Sequence, residues 1–133
     1  MPSGQFKIQT AERMHLLDIT EKVSAVLRSS DVNQGIIFVS SPHTTAGITI
    51  NEGADPDVQT DLIGALKQIV PASYPYRHRE GNADSHIMTT LTGTSSMVEI
   101  ESGRLLLGVW QRIFFCEFDG PRTRTVHWKI LEG

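Results

Sequence analysis

Apolar side chains recur along this chain at two spacings, and the spacing changes where the elements change. "QFKIQT" (5–10) alternates Phe6 and Ile8 with Lys7 and Gln9, the two-residue period of a strand with one buried face. After a turn at 11–13, "MHLLDI" reads as a second strand. From Thr20 the period lengthens. Val23, Val26 and Leu27 stand at i, i+3 and i+4, which predicts a helix capped by Thr20 and ending near 30–34. "GIIFVSS" is a continuous apolar run of strand length, the pattern of a central strand covered on both faces. "AGITIN" alternates more cleanly and is expected to pair with it through the connection "SPHTT".

The clearest helical pattern is "ADPDVQTDLIGALKQIVP". Asp55 suits the N-cap, and Pro56 suits the first helical position, where its missing N–H costs nothing. Val58, Leu62, Leu66 and Ile69 form one apolar stripe, and Pro71 stops the helix. "ASYPYRHREG" reads as a long ordered loop. "NADSHIMTTLTG" reads as a short helix capped by Asn82 or Asp84 and closed by Gly93. Strands are expected from there on, in "SSMVEIES", "RLLLGVW", "QRIFFCEFDG" and "RTRTVHWKIL", with turns at Ser102-Gly103 and Gly120-Pro121. Val126, Trp128 and Ile130 share one face of the last strand. The class is α+β: a mostly antiparallel, sandwich-like sheet with helices inserted mid-chain, expected as one domain over 1–133.

Composition narrows the chemistry. A chain of 133 residues can bury enough surface for one core without a disulfide or metal. The single cysteine, Cys116, excludes an intrachain disulfide and a cysteine-built zinc site, and in "FFCEF" it reads as a small buried hydrophobe. The net charge is -3 with no Lys/Arg run, so nucleic acid is not an expected partner. "GPRTRT" alternates Arg with Thr and reads as one face of a strand. No apolar stretch spans a bilayer and no signal-peptide pattern appears, so the expected setting is cytoplasmic, without a membrane.

Five histidines are present, and they differ in setting. His127 falls on the polar face of a strand and His15 near a strand start; both read as structural. His43, His78 and His86 lie in connections or at a helix start, where a scaffold carries function. Three imidazoles and a water make an open catalytic metal site, although the spacing here matches no metal motif. Glu80 and Asp84 stand between His78 and His86 and would suit carboxylates orienting imidazole N–H groups. Asp57 and Asp61 suit the positive end of a helix dipole. Asn51 and Glu52 close a strand before Gly53, a place where catalytic groups collect; Glu52 is the acid/base candidate. Thr44, Thr45, Thr94, Ser95 and Ser96 offer hydroxyls that can hold phosphate oxygens, although neither segment is a Walker or Rossmann loop.

Read in order, "HTTAGITINEGADPDVQTDL", "HREGNADSHI" and "GRLLLGVWQRIFFCEFDGPR" make the chain resemble the YjbQ family, also labelled secondary thiamine-phosphate synthase, over nearly its whole length. The resemblance implies a trimer with a polar cleft near the subunit boundary. It also implies that His43, His78 and His86 line that cleft and hold a divalent metal such as Zn; from the residues themselves, carboxylates held close together would suit Mg beside a phosphorylated substrate. Asn51, Glu52, Asp57 and Asp61 match the family's acidic motif, and Trp110 and Gln111 its W-Q pair. Two positions depart from the family pattern: Val109 stands where G-T-W-Q has its threonine, and Glu99 where many relatives have proline. The implied activity joins a hydroxymethylpyrimidine diphosphate to a thiazole phosphate. The expectation is therefore a metal-assisted enzyme acting on a phosphorylated small molecule. His43, His86 and Glu52 would be catalytic, and Thr44, Thr45, Asn51, Ser95, Ser96 and Gln111 would hold substrate. The alternatives are a metal-dependent hydrolase, or a non-catalytic trimer that binds a ligand around a structural metal.

Overall fold

The structure, a computed structural model, describes residues 2–133. The elements in chain order are β1 (Ser3–Gln9), β2 (His15–Asp18), α1 (Thr20–Ser30), β3 (Gly35–Ser40), β4 (Ala46–Glu52), α2 (Pro56–Ile69), α3 (Ala83–Thr92), β5 (Ser95–Glu101), β6 (Arg104–Leu105), β7 (Gln111–Glu117) and β8 (Thr123–Glu132). They build two antiparallel sheets, one ordered β1-β8-β3-β5-β6 and the other β2-β7-β4. The α+β class with helices inserted mid-chain is as the patterning predicts.

The expected pairing of β3 with β4 does not occur. β3 lies between β5 and β8, and β4 pairs with β7 in the other sheet. The "SPHTT" connection is therefore a crossover between sheets and not a hairpin. Ile37, Val39, Val126 and Ile130 of the larger sheet meet Ile48, Ile113 and Phe115 of the smaller one, with Val23 and Leu27 of α1 in the same cluster. The other face of the small sheet carries Leu16, Phe114, Cys116 and Phe118, covered by Met88 of α3 and, more loosely, by Leu62, Ile63 and Leu66 of α2. The strand buried on both faces is thus β7, whose Ile113 and Phe115 point one way and Phe114 and Cys116 the other. Its continuous "IFFC" has the same signature that "GIIFVSS" shows. Burial pushes the Cys116 thiol up to about 12, as befits a hydrophobe.

The helix ends differ in how well local chemistry explains them. Asp55 caps α2 through its carboxylate, which accepts from the Asp57 N–H at 2.9 Å, and Pro56 follows at the first position. Thr20 does not cap α1. It is the first helical residue, its N–H donates to Asp18 Oδ1 at 2.9 Å, and its hydroxyl accepts from the Ile113 N–H. Long-range demand from β7 has recruited the hydroxyl that the sequence offered to the cap. α2 buries no residue fully, and Ile69, assigned to its apolar stripe, is 67% exposed.

Candidate functional site

β3 ends at Ser40, paired with Ser95 on one side and His127 on the other. The chain then turns from the large sheet to the small one in five residues. Ser41 holds that knuckle: its N–H donates to Thr94 O at 2.8 Å, and its hydroxyl donates to Ala46 O and accepts from the His43 N–H. Because β3 has left, β8 loses its backbone partner on that edge beyond His127, while β1 still pairs with its other edge. The His43 imidazole fills the gap, with Nε2 accepting the Thr125 N–H at 2.9 Å.

That bond fixes the ring's chemistry. A neutral imidazole has one bare nitrogen and one N–H. Nε2 accepts, so Nδ1 carries the proton and is a donor. Burial first, then the nearby Arg124 charge, hold the His43 pKa below its ordinary value. The Thr125 N–H acts in the same sense, since a protonated Nε2 would face another N–H.

Beneath the knuckle lies a group that sequence reasoning missed. Glu117 is 0% and Arg124 3% exposed, and they form a two-pronged ion pair with Arg124 Nε donating to Glu117 Oε1 at 2.8 Å and Nη2 to Oε2. Further bonds surround the pair. Thr10 Oγ1 and the Asp119 N–H donate to the carboxylate, and Arg124 Nη2 donates to Thr45 Oγ1 at 2.9 Å. Burial works to raise the Glu117 pKa, but the Arg124, Asp119 and Thr10 hydrogen bonds outweigh it, and the group lies below its ordinary value. Arg124 lies on one face of β8, as the alternation in "GPRTRT" predicts, but nothing in that alternation shows that the face is buried; the signal that could have found the pair is Glu117 itself, an acid within the apolar run "IFFCEF".

α3 supplies the other wall. Gly47 on β4 has no side chain, and a Cβ there would run into the Gly93 carbonyl and the Thr92 hydroxyl. The gap lets Gly93 O accept the Ile48 N–H at 3.1 Å. This close approach sets His86 opposite His43 across a cleft of about 480 Å³, lined also by Thr44, Thr89, Thr90, Gly93 and Thr94. On its other side His86 meets His78, with ring centroids 5.2 Å apart and planes at 72°. A second hollow of about 320 Å³ opens there between Tyr76, Arg77, His78, His86 and Ile87. His86 is therefore the residue shared by both.

The remaining candidates divide. Thr44 faces the cleft, but Thr45 is turned inward to Arg124. Ser95 and Ser96 begin β5 next to the cleft without lining it; Thr89, Thr90 and Thr94 supply the hydroxyls instead. Asn51, Glu52 and Gln111 lie at the opposite end of the β4–β7 pair, where Glu52 faces Gln111. At about 3.3 Å per residue, the seven residues of β4 put Glu52 roughly 20 Å from the histidines. Its carboxylate accepts the Asp55 N–H at 2.8 Å. The expectation that three imidazoles gather beside Glu52 is corrected on both counts: Glu52 is elsewhere, and the three rings form a chain and not a cluster. Among the described residues no group of three His, Cys, Asp or Glu could hold a metal ion. His43 is ill-suited to ligation, because its only bare nitrogen already accepts from Thr125. The bracketing acids do not orient the rings either. Asp84 pairs with Arg13 at 3.2 Å, and Glu80 stands 3.7 Å from His78 Nε2, beyond hydrogen-bond reach.

Residues 4–133 match the model of the family described as UPF0047 protein YjbQ-like. The chain belongs to this family. The UPF0047 protein YugU of Bacillus subtilis strain 168 is 46% identical over 94% of this chain and 96% of its own length. A UPF0047 protein of Methanocaldococcus jannaschii is also 46% identical, over 96% of the chain and 92% of the relative. Among solved structures, an uncharacterised YjbQ/UPF0047 protein of Clostridium acetobutylicum superposes with a TM-score of 0.94 at 46% identity, covering 96% of this chain and 98% of that one. A hypothetical protein of Aeropyrum pernix K1 gives 0.95 at 37% identity, covering both chains fully. No helix among the described residues is long and apolar enough to cross a membrane.

Proposed function

We propose that this YjbQ-like protein is a small enzyme acting on a phosphorylated molecule in the His43–His86 cleft, with thiamine-phosphate synthesis as its main or a secondary activity. The observation that carries the reading is the cleft itself. Two imidazoles from separate elements and four threonines converge on one hollow of about 480 Å³, within the range of small-molecule sites. In this reaction the thiazole nitrogen attacks the pyrimidine methylene carbon. The C–O bond to diphosphate breaks, and pyrophosphate leaves with the bonding electrons. The protein must neutralise charge on the departing oxygens. His43, held as the Nδ1–H form, donates there. His86 supplies a second imidazole able to give or take a proton. Thr44 and Thr94 hold the phosphate oxygens.

A divalent cation, Zn or Mg, enters this proposal only at His78 and His86, and no step above depends on one. Metal analysis of untagged protein with and without a His78→Ala change tests that point. Self-association as a homotrimer is part of the same reading. The loosely covered α2 and the exposed Ile69, Tyr74 and Leu91 are apolar surface that a second copy would cover. In such an assembly the Glu52 end of one subunit is free to complete the histidine end of the next.

The test is an assay of purified protein with both phosphorylated precursors, measuring thiamine phosphate, alongside light scattering for subunit number. Product formation that His86→Ala abolishes supports the reading. Phosphate release from other esters without coupling would favour the hydrolase. Inertness toward both, with the cleft still binding a ligand, would favour a binding protein.

A further inference from the structure

α1 and the β5–β6 hairpin face each other across a separate cleft of about 470 Å³, which Arg112 of β7 also lines. Three arginines line it, in a chain whose net charge is -3. Arg112 is committed: its Nε donates to Asp18 Oδ2 at 2.7 Å and its Nη2 to Glu21 Oε1 at 3.4 Å. Arg28 and Arg104 have no carboxylate within ion-pair distance among the described residues. The hydroxyls of Ser24 and Ser102 stand with them on the wall. The floor is apolar, built from Leu27, Leu105 and Leu107.

The wall is held in place. Ser102 and Gly103 form the hairpin turn with φ of 52° and 75°, and the Gly103 N–H donates to Asn33 O at 3.0 Å. Asn33 lies three residues past the end of α1, so the turn that carries Arg104 is tied to the segment leaving the helix that carries Arg28. A cation in the last turn of α1 has a bland purpose, to complement the helix dipole. That purpose accounts for Arg28 alone. It does not account for Arg104 on a two-residue strand, or for a hollow between the two with an apolar base.

We infer that this cleft binds a small organic phosphate, its phosphate between Arg28 and Arg104 and its apolar body on Leu27, Leu105 and Leu107. Guanidinium forks suit phosphate oxygens, and the serine hydroxyls complete the shell. Glu21, at the other end of the cleft, disfavours a second anionic group there and so orients the ligand.

The inference stands apart from the histidine cleft, and phenyl phosphate separates the two. Titrated into the full-length protein at 0.15 M chloride and followed by amide and arginine Nε chemical shifts, it is expected to move Ser102, Gly103, Arg28 and Arg104. It should bind about tenfold more tightly than inorganic phosphate, because only the ester reaches the apolar floor. An Arg28→Gln/Arg104→Gln variant with unchanged circular dichroism should weaken it by about tenfold or more. His86→Ala should leave it unchanged. Shifts confined to His43, Thr44 and Thr94, equal binding by the double-Gln variant, or no shift at either arginine would each overturn the inference.

Discussion

The two ends of the β4–β7 pair carry similar polar side chains and use them differently. At the Glu52 end every candidate bonds to its own neighbourhood: Asn51 Oδ1 to the Glu52 N–H, Glu52 to the Asp55 N–H, Gln111 Oε1 to the Gly108 N–H. At the His43 end, beside the local bonds of Ser41, three bonds join distant segments: His43 to Thr125, Thr45 to Arg124, Thr10 to Glu117. Local bonds shape a turn and would form in almost any fold that keeps the turn. Long-range bonds exist only because the fold brings those groups together, and they hold side chains at a fixed spacing across a hollow. The second kind of end is where a pre-organised site can be built.

The sharpest break in that comparison is catalytic. With thiamine-phosphate synthesis as readout, His86→Ala is expected to lower kcat by about 10²–10⁴, the usual worth of a positioned proton-transfer group. Glu52→Gln should change it by no more than about threefold if the two ends act separately, since its amide oxygen still accepts from Asp55. An equally large loss from Glu52→Gln, with the subunit number unchanged, would show that Glu52 reaches a cleft on a neighbouring copy and would join the ends.

Next in size is stability. Arg124→Ala leaves Glu117 buried without its cation and should cost about 3–5 kcal/mol, seen as a fall in the urea midpoint. Replacing an exposed, unpaired acid such as Asp61 should shift it by under about 0.5 kcal/mol. The same pair sets an acid limit. Glu117's pKa is depressed on folding, so its contribution is whole above the ordinary carboxylate range and is lost as pH falls through the folded value. Arg124→Ala should flatten that part of the stability–pH curve.

His43 gives a smaller effect with a distinct signature. Its pKa is also depressed on folding. The stability it contributes is present above about pH 6.5 and is lost as pH falls toward the folded value, because the unfolded chain takes the proton first. Nitrogen-15 spectra of the ring should show the proton on Nδ1 at neutral pH. A proton on Nε2 would contradict the bond to Thr125 and reopen His43 as a metal ligand. His43→Ala should cost about 1 kcal/mol for the orphaned strand N–H.

What the chain reveals by itself follows the same division. The N-cap at Asp55, the stop near Pro71, the buried character of Cys116 and most of the elements follow from neighbours in sequence and stand; the strand expected over "RLLLGVW" does not, since only Arg104–Leu105 forms a strand there. The sheet membership of β4 does not follow, because alternation says that a strand has two faces but not which partner it meets. The placement of Glu52 failed for a related reason. Its closeness to His43 in sequence hides the extended strand between them, and an extended strand is the conformation that separates its ends the most. Thr20 does not make the expected cap, and the burial of Arg124 is invisible to periodicity, because their partners, Ile113 and Glu117, lie far along the chain. His43 and His86 did emerge as candidates, from lying in connections or at a helix start, yet the role of His43 depends on β3 leaving one edge of β8 open at Thr125, which periodicity does not encode.

The smallest effect probes the Glu52 end alone. Asp55→Ala removes the cap of α2, a change worth about 1 kcal/mol. α2 buries no residue fully, so the helix has little tertiary packing to lose and its first turn can open without the sheets. The expected result is local: amide exchange at Asp57, Val58 and Gln59 rises about fivefold, the equivalent of 1 kcal/mol, while the exchange of Ile113 and Phe115 stays as it was. Global unfolding shifts correspondingly little. Should the cap change instead lower protection throughout β7, α2 would be part of the cooperative core, covered more tightly in solution than in a single chain. The apolar exposure at Ile69 would then be closed by another copy, and the contrast between the two ends would belong to the subunit and not to the assembly.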